Sequence, residues 1–571
     1  MKSRIRRMLH LALPALAFLV AFSFGAVPER ACNDVWWHLR TGEFIAQNGY
    51  RLPVVDPFNF MANDQGIAWH NHEWLGQIVF YWVYRAGEAM GADGLHALFL
   101  AKALLLGATY LGLALFCWRF SGAMLPAVIA AVLAAEVGRR TFYARPPVYT
   151  YVLLIALYWL MHEVRARRLP RRYLVAVLPM FCLWANLHGG WAAGGVLLGC
   201  FMLGEAAESL ARHYRTTPLI ALPRAFLRDV APWAGACALA VIGTLGNPSG
   251  VHLYAIFDRV LSDHQLVASI GELQPPIPAL SLFFYASFLG MLMMAMALRR
   301  PFPHMAELLF IPFFAWQSLQ HVRHLTLYGI LMAPAFAWMM AEVFRQYPRG
   351  VAGLMRVLAL GALLGLVVWG LAWRSEGGTF IQRNRAFASG ESFVRANYPA
   401  DAARFLREAS LLGVGGRLYN LDYYAGYLIW RLAPEPFRVM SDPRFDIFGG
   451  DIQRQANRLM TAPPGWDAEL RALGVDAALL PLNKYLTHVM IADPGWHLVF
   501  HQPAWRRQPD GSVALDRFAG WAVLVRDDAY PPATLERLEA LGRRHHQALG
   551  LPDVADLEAI DPATLVMSAG N

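Results

Sequence analysis

The feature that most constrains this chain is a series of uncharged apolar runs, each about as long as a helix that crosses a bilayer. Such runs predict membrane-spanning helices. Only 16% of the 571 residues are charged, whereas a typical soluble protein carries about a quarter. The excess of basic residues lies before residue 374, where arginines orient membrane loops, so it does not indicate nucleic-acid binding.

Arginines in the loops predict the topology, because positive residues are retained on the cytoplasmic side. The first run, 8–28, could be a cleaved signal peptide, but its length and the runs that follow favour a retained helix. Arginine-rich loops lie at 163–172, 211–228, 299–300 and 345–356. With these loops inside, eleven crossings are expected, with the N-terminus inside and the C-terminus outside. They lie at about 8–28, 95–118, 120–138, 146–162, 173–187, 190–208, 230–247, 279–298, 303–320, 324–342 and 352–373.

Segment 74–90, "WLGQIVFYWVYRAGEAM", cannot cross without breaking this order, so we expect it to lie at the outer interface. The sequence thus predicts a transmembrane domain, 1–373, that includes a first outer loop at 29–94. A second outer loop is expected at 247–278. The tail, 374–571, contains no cysteine, and it alternates helix-like stretches with strand-like runs such as "GRLYN", "FRVMSD", "DAALLPL" and "WAVLVRD". This pattern predicts a small extracytoplasmic α/β domain.

The first outer loop has the densest set of polar candidates. In "NDVWWHLRTGEF", Asp34 and His38 are four residues apart, so a helix would place both on one face. Trp36 and Trp37 are expected to anchor that helix at the headgroup level.

Two further motifs in this loop, "VVDPFNF" and "WHNHEWL", carry Asp56, His72 and Glu73 as candidate substrate contacts. The alternative is an interfacial helix and a hydrogen-bonded turn without chemistry. A metal site is less favoured, because H-x-H-E lacks the HExxH spacing and no cysteine accompanies it.

Basic residues also occur at outer helix ends, against the orientation rule. "EVGRRTFYARPP" and "QHVRH" supply Arg139, Arg140, Arg145, Arg323 and His324. The planar fork of arginine suits a phosphate, although contact with lipid headgroups would also explain these residues. Two such clusters on one face favour one shared anionic ligand.

An outer turn, "WANLHGGW", offers Asn186 and His188, and Gly189 and Gly190 allow close approach of the backbone. These side chains are candidate substrate contacts. The alternative is a hairpin turn whose asparagine is satisfied internally.

This organisation resembles the GT-C superfamily of glycosyltransferases, which use sugars linked to polyprenyl phosphate or pyrophosphate. The motif series "DVWWHLRTGEFI", "DPFNF", "WHNHEWL", "ARPPVYTY", "WANLHGG", "GNPSG", "GELQPP" and "GYLIWRL" resembles a group of bacterial polytopic GT-C-like proteins, most of them without an assigned function. The resemblance implies that Asp34 engages the acceptor nucleophile and that the outer arginines hold the donor phosphate. Several GT-C enzymes carry a second acidic motif in the next outer loop, where this chain offers only Glu136. The resemblance allows a divalent cation, Mg²⁺ or Mn²⁺, but this departure argues against one.

The sequence therefore predicts an inverting glycosyltransferase of the bacterial cytoplasmic membrane, with Asp34 as base and His38 in support. Its expected partners are a polyprenyl-phosphate-linked sugar, membrane lipids, and an acceptor glycan, lipid or protein. One alternative is an enzyme like the O-antigen ligases or polymerases. Such an enzyme is expected to carry its catalytic Arg or His in a long loop late in the chain, but loop 247–278 holds only His252, Arg259 and His264. The other is a non-enzymatic transporter or scaffold for envelope glycans, although the chain shows no inverted repeat.

Overall fold

Most of the apolar runs form long helices. The structure is a computed structural model that describes residues 2–26, 33–214, 218, 220–255, 263–299, 302, 304–372, 394, 398–507 and 513–549. The chain folds into two units. Unit 1 comprises residues 1–29, 71–255 and 267–390, and unit 2 comprises residues 30–70, 256–266 and 391–571.

Unit 1 is helical. With helices numbered along the whole chain, it contains α1 (Lys2–Gly25), α4 (Trp74–Ala89), α5 (Gly94–Ser121), α6 (Met124–Gly138), α7 (Pro147–Arg165), α8 (Val177–Leu187), α9 (Trp191–His213), α10 (Leu222–Thr244), α12 (Leu282–Ala297), α13 (Met305–Gln320), α14 (Leu325–Gln346) and α15 (Arg349–Ala372). A short helix, α11 (His264–Ser269), spans the division between the units. Short 3-10 turns include Arg139–Thr141, Arg171–Ala176, Gly250–Tyr254, Gly271–Leu273, Pro278–Leu280 and Val322–His324.

Six helical stretches among the described residues are long and apolar enough to cross a membrane, so the chain is a multi-pass membrane protein, as predicted. They are Gly94–Ser121, Pro147–Arg165, Trp191–His213, Leu222–Thr244, Val322–Gln346 and Arg349–Trp369. Each of the eleven predicted crossings contains a helix, but several are shorter than these six, and the number of crossings stays a prediction. The interfacial position of α4 also stays a prediction.

Helices of unit 1 approach closely where a glycine faces a large side chain. A Cβ added at Gly107 of α5 would lie 2.7 Å from the Phe18 ring of α1. Small residues at such contacts allow membrane helices to pack through van der Waals contact.

Loops that were predicted on one side of the membrane come together in unit 1. Arg171 and Arg212, from two expected cytoplasmic loops, lie 3.9 and 3.1 Å from Asp229. At an expected outer boundary, Arg145 forms an ion pair with Glu272 of loop 247–278. Both groupings bring together loops that are expected on the same side, while the orientation across the membrane stays a prediction.

Unit 2 contains the predicted α/β domain. Its helices are α2 (Asp34–Gln47), α3 (Phe60–Asp64), α16 (Ala400–Ala409), α17 (Asp422–Leu432), α18 (Phe445–Phe448), α19 (Asp451–Leu459), α20 (Trp466–Ala472), α21 (Tyr485–Ala492) and α22 (Pro532–Leu549). Its strands are β1 (Gly416–Tyr419), β2 (Phe437–Val439), β3 (Ala477–Pro481), β4 (Trp496–Arg507) and β5 (Val513–Arg526).

Among the described residues, five strands form one mixed sheet in the order β2-β1-β3-β5-β4. Strands β2, β1 and β3 are parallel, whereas β5 is antiparallel to both β3 and β4. The four predicted strand runs fall on β1, β2, β3 and β5, but β4 was missed. Its Pro503 argues against a strand, and it is accommodated because β4 is an edge strand with a register shift at that residue.

The first outer loop is divided between the two units. Residues 30–70 belong to unit 2, and the rest of the loop belongs to unit 1. The N–H of Val439 in β2 donates to the Phe58 carbonyl (2.9 Å), so the "DPFNF" segment continues the edge of the sheet. The predicted domain boundary at 373/374 lies outside the described residues.

Candidate functional site

The "LHGGW" turn of unit 1 holds His188 in place. Helix α8 ends at Leu187, and α9 begins at Trp191. The Gly190 N–H donates to His188 Nδ1 (2.9 Å), and a Cβ at Gly190 would lie 2.2 Å from Thr150 Oγ1. This glycine is therefore required by close approach, as the sequence predicted.

The hydrogen bonds of His188 define its tautomer. Trp184 Nε1–H donates to Thr150 Oγ1 (2.9 Å), which directs the hydroxyl proton toward His188 Nδ1 (2.8 Å). Because Nδ1 also accepts from Gly190, the ring proton resides on Nε2. Burial lowers the pKa of His188 to about 3; Glu73 opposes this shift, whereas His72, Arg323 and Arg145 act with it. The imidazole is neutral at physiological pH.

Glu73 is a nearly buried carboxylate between two imidazoles. Its Oε1 lies 3.5 Å from His72 Nε2 and 3.6 Å from His188 Nε2. The residue directly precedes α4, so the helix dipole favours its charged form. Two predicted substrate contacts, His72 and Glu73, thus meet a third, His188.

The side chain of Asn186, in contrast, forms hydrogen bonds with other residues of unit 1. Its Oδ1 accepts from Trp74 Nε1–H (2.6 Å), and its Nδ2 donates to the Cys182 carbonyl (2.7 Å). Asn247 of "GNPSG" joins the network by donating to the Ala185 carbonyl (2.8 Å). Asn186 therefore matches the alternative of an internally satisfied turn, and its substrate role stays a prediction.

Two of the predicted phosphate-binding arginines, Arg145 and Arg323, help to lower the pKa of His188. Arg145 forms an ion pair with Glu272, and its guanidinium lies 4.7 Å from the centre of the Tyr143 ring. Arg323 is exposed, and the segment that carries it is tied to the Gly271–Leu273 turn. We call His72, Glu73, Arg145, His188, Glu272 and Arg323 the arginine–histidine cluster.

The other predicted phosphate ligands lie in different surroundings. Arg139 is 3.6 Å from Glu136, and its guanidinium lies 6.0 Å from the Phe24 and Phe283 rings. Arg140 is exposed beside it. His324 is half-buried, with Nδ1 3.4 Å from the Gln317 carbonyl.

Asp34 begins α2 in unit 2, and the predicted helix with His38 is confirmed. The Asp34 side chain is half-buried and accepts from Trp37 Nε1–H (3.3 Å), and its place in the first turn favours the carboxylate form. His38 is only 1% exposed and packs on the Trp37 ring, so it does not present its imidazole to an acceptor.

The prediction that Trp36 and Trp37 anchor the loop at the membrane interface is wrong. Both are buried, and the Trp36 ring packs edge-on against Tyr398 (5.4 Å) and Tyr427 (5.1 Å) of unit 2. Edge-to-face ring pairs of this kind stabilise an aromatic core.

Asp56 lies in a buried ionic network of unit 2, and its contact with substrate stays a prediction. It is fully buried, with Oδ2 2.7 Å from Arg444 Nη2. The same guanidinium binds Asp442 (2.8 Å), whose carboxylate accepts from Asn59 Nδ2 (3.0 Å). Burial raises the pKa of Asp56 to about 6, while Arg444 opposes the rise, so the carboxylate is ionised at neutral pH.

Sequence reasoning missed Glu272, Asp442 and Arg444. Glu272 was visible as the acid of "GELQPP", but its partner Arg145 is 127 residues away. Among the described residues, no group of three or more His, Cys, Asp or Glu side chains is arranged to hold a metal ion. Arg259, named for the ligase-like alternative, lies outside the described residues.

Solved structures with the same fold come from proteins of low sequence identity. The archaeal oligosaccharyltransferase AglB from Archaeoglobus fulgidus, in complex with an inhibitory peptide and a dolichol-phosphate, aligns with a TM-score of 0.56 at 14% identity, over 90% of this chain and 74% of AglB. The arabinofuranosyltransferase AftD from Mycobacteria aligns with a TM-score of 0.55 at 17% identity, over 91% of this chain but only 41% of AftD. The predicted GT-C fold is therefore confirmed, and at these identities the likeness concerns the fold alone.

No protein-family profile matches the sequence, and no curated protein matches it in a sequence search.

Proposed function

We propose that this chain is a membrane glycosyltransferase that transfers a sugar from a polyprenyl-phosphate or polyprenyl-pyrophosphate donor to an acceptor on the outer face of the cytoplasmic membrane. The fold shared with an oligosaccharyltransferase and an arabinofuranosyltransferase supports this class of reaction. The observation that carries the proposal is a grouping of side chains from distant parts of the sequence. Glu73 lies between His72 and His188, and Arg145 pairs with Glu272.

The arginine–histidine cluster supplies the groups that a lipid-phosphate sugar requires. Arg145 and Arg323 stabilise the negative charge that grows on the leaving phosphate, since guanidinium groups bind phosphate oxygens through paired N–H donors. The neutral His188 donates from Nε2, and the Glu73 carboxylate accepts, so both can bind sugar hydroxyls.

Asp34 is the proposed general base. It accepts the proton of the acceptor hydroxyl as the oxygen attacks the anomeric carbon, while the bond to the leaving phosphate breaks. A single displacement by a base-activated hydroxyl inverts the anomeric centre. The half-buried carboxylate supports this role, because it lies in the first turn of α2 and keeps part of its surface accessible.

The test is sugar transfer by the purified chain in nanodiscs. A panel of sugars linked to undecaprenyl phosphate or undecaprenyl pyrophosphate is offered with an envelope extract as acceptor, and release of the lipid phosphate or pyrophosphate is measured. Asp34→Asn should lower the rate by about 10²–10⁴-fold, the usual contribution of a general base, while donor binding persists. Arg145→Ala should instead weaken donor binding.

The matched control is Asp451→Asn, which changes an exposed aspartate of unit 2 whose ion pair is with Arg454 (2.5 Å). It should leave the rate unchanged. A folded Asp34→Asn variant that transfers sugar at the wild-type rate would remove Asp34 as base. Absence of transfer and of lipid-phosphate binding in the wild type would refute the proposed function itself.

A further inference from the structure

Glu272 occupies an unexpected place for an acid, beside an arginine that the proposed function assigns to the donor phosphate. Its carboxylate pairs with Nη2 of Arg145, one of the donors that would bind a phosphate oxygen. The Glu272 side chain is 31% exposed and the Arg145 side chain is 18% exposed, so the pair remains partly accessible.

The turn that carries Glu272 is held by hydrogen bonds. The Leu273 carbonyl lies 2.7 Å from His321 Nδ1, and the Val322 N–H donates to the Gln274 carbonyl (3.0 Å). Gln274 Nε2 donates to the Val267 carbonyl (2.9 Å), which closes the turn on itself. These hydrogen bonds therefore hold the backbone on both sides of Glu272 in place.

The same contacts locate Arg323, because it follows Val322 directly. The Arg145 guanidinium lies over the Tyr143 ring and pairs with Glu272. An anion that binds Arg145 therefore meets the Glu272 carboxylate at short range.

The charges of the arginine–histidine cluster nearly cancel. Arg145 and Arg323 are positive, Glu272 and Glu73 are carboxylates, and His188 is neutral. A site whose positive and negative charges nearly cancel suits an anion of low charge. Each further negative charge on the ligand is repelled by the carboxylates of Glu272 and Glu73.

From this juxtaposition we propose that Glu272 makes the cluster selective for a lipid monophosphate over a lipid pyrophosphate. This proposal rests on the proposed function and narrows its donor to a monophosphate-linked sugar. Such a donor is a phosphodiester with one negative charge, whereas a pyrophosphate-linked donor carries two. The lipid phosphate and the lipid pyrophosphate that these donors release also differ by one negative charge.

The test compares binding of farnesyl phosphate and farnesyl pyrophosphate to the full chain in nanodiscs, in buffer that contains EDTA. The wild type should bind the monophosphate about tenfold more tightly, the order of effect expected for one like charge at a partly exposed site. Glu272→Gln should abolish this preference, mainly by tightening pyrophosphate binding. Glu272→Asp retains the charge and should retain the preference.

Glu88→Gln is the matched control, because Glu88 forms an exposed ion pair with Arg85 on α4 of the same unit. It should change neither affinity. Equal or tighter pyrophosphate binding by the wild type, or an unchanged ratio in Glu272→Gln, would overturn the role of Glu272 and leave the glycosyltransferase proposal standing. Failure of the wild type to bind either lipid would overturn both.

Discussion

Gly190 shows how one residue determines the geometry of the arginine–histidine cluster. Its N–H fixes the acceptor nitrogen of His188, and its missing Cβ leaves room for Thr150. These two properties together place the Nε2 proton of His188 toward Glu73.

Gly190→Ala should therefore disturb the turn. The new methyl group would lie 2.2 Å from Thr150 Oγ1 and 2.8 Å from His188 Nδ1, so one of these groups must move. We expect a loss of about 1–3 kcal/mol of stability, typical of overpacking, and weaker binding of farnesyl phosphate. Thermal unfolding in detergent and lipid binding measure the two effects.

Gly195→Ala is the control, because a Cβ at that position of α9 meets nothing within 4 Å. It should be neutral or stabilise the helix by up to about 1 kcal/mol. Equal behaviour of the two variants would contradict the role given to Gly190.

At the scale of elements, the first outer loop and β2 are joined by a buried ionic network. Arg444 binds Asp56 from the loop and Asp442 from the segment after β2. Its guanidinium also lies 5.2–5.9 Å from the Trp37, Phe58 and Trp69 rings. The network holds the segment that follows α2, and so contributes to the placement of Asp34 within unit 2.

Arg444→Leu should destabilise unit 2 by about 3–5 kcal/mol, because it leaves two carboxylates buried without a counterion. Hydrogen exchange of segments 56–62 and 437–444 in the full chain measures the loss. Arg458→Leu, which breaks an exposed pair with Glu469, should cost about 1 kcal/mol or less. Similar losses of protection in the two variants would show that the network is not a major stabilising element.

For the whole molecule, the expected topology places Ala92 outside and Arg167 inside, and both are exposed. In a variant without native cysteines, Ala92→Cys should react with a membrane-impermeant maleimide in spheroplasts. Arg167→Cys should react only after permeabilisation. The reverse pattern would refute the eleven-crossing arrangement and the interfacial position of α4.

Local properties of the sequence determined the elements of this protein. Apolar length predicted the helices of unit 1, since a bilayer demands a continuous apolar helix. Short β-rich runs predicted β1, β2, β3 and β5, and the spacing of Asp34 and His38 predicted a helical face. Each of these signals is contained within a few neighbouring residues.

Only the tertiary structure decided which side chains meet. The Arg145–Glu272 pair and the burial of Trp36 against Tyr427 join residues far apart in the chain. The motif around Asp56 predicted a substrate contact, yet the packed structure pairs its carboxylate with Arg444. The physical reason is that hydrophobicity and helical period act along the chain, whereas ion pairs and ring contacts depend on how distant elements pack.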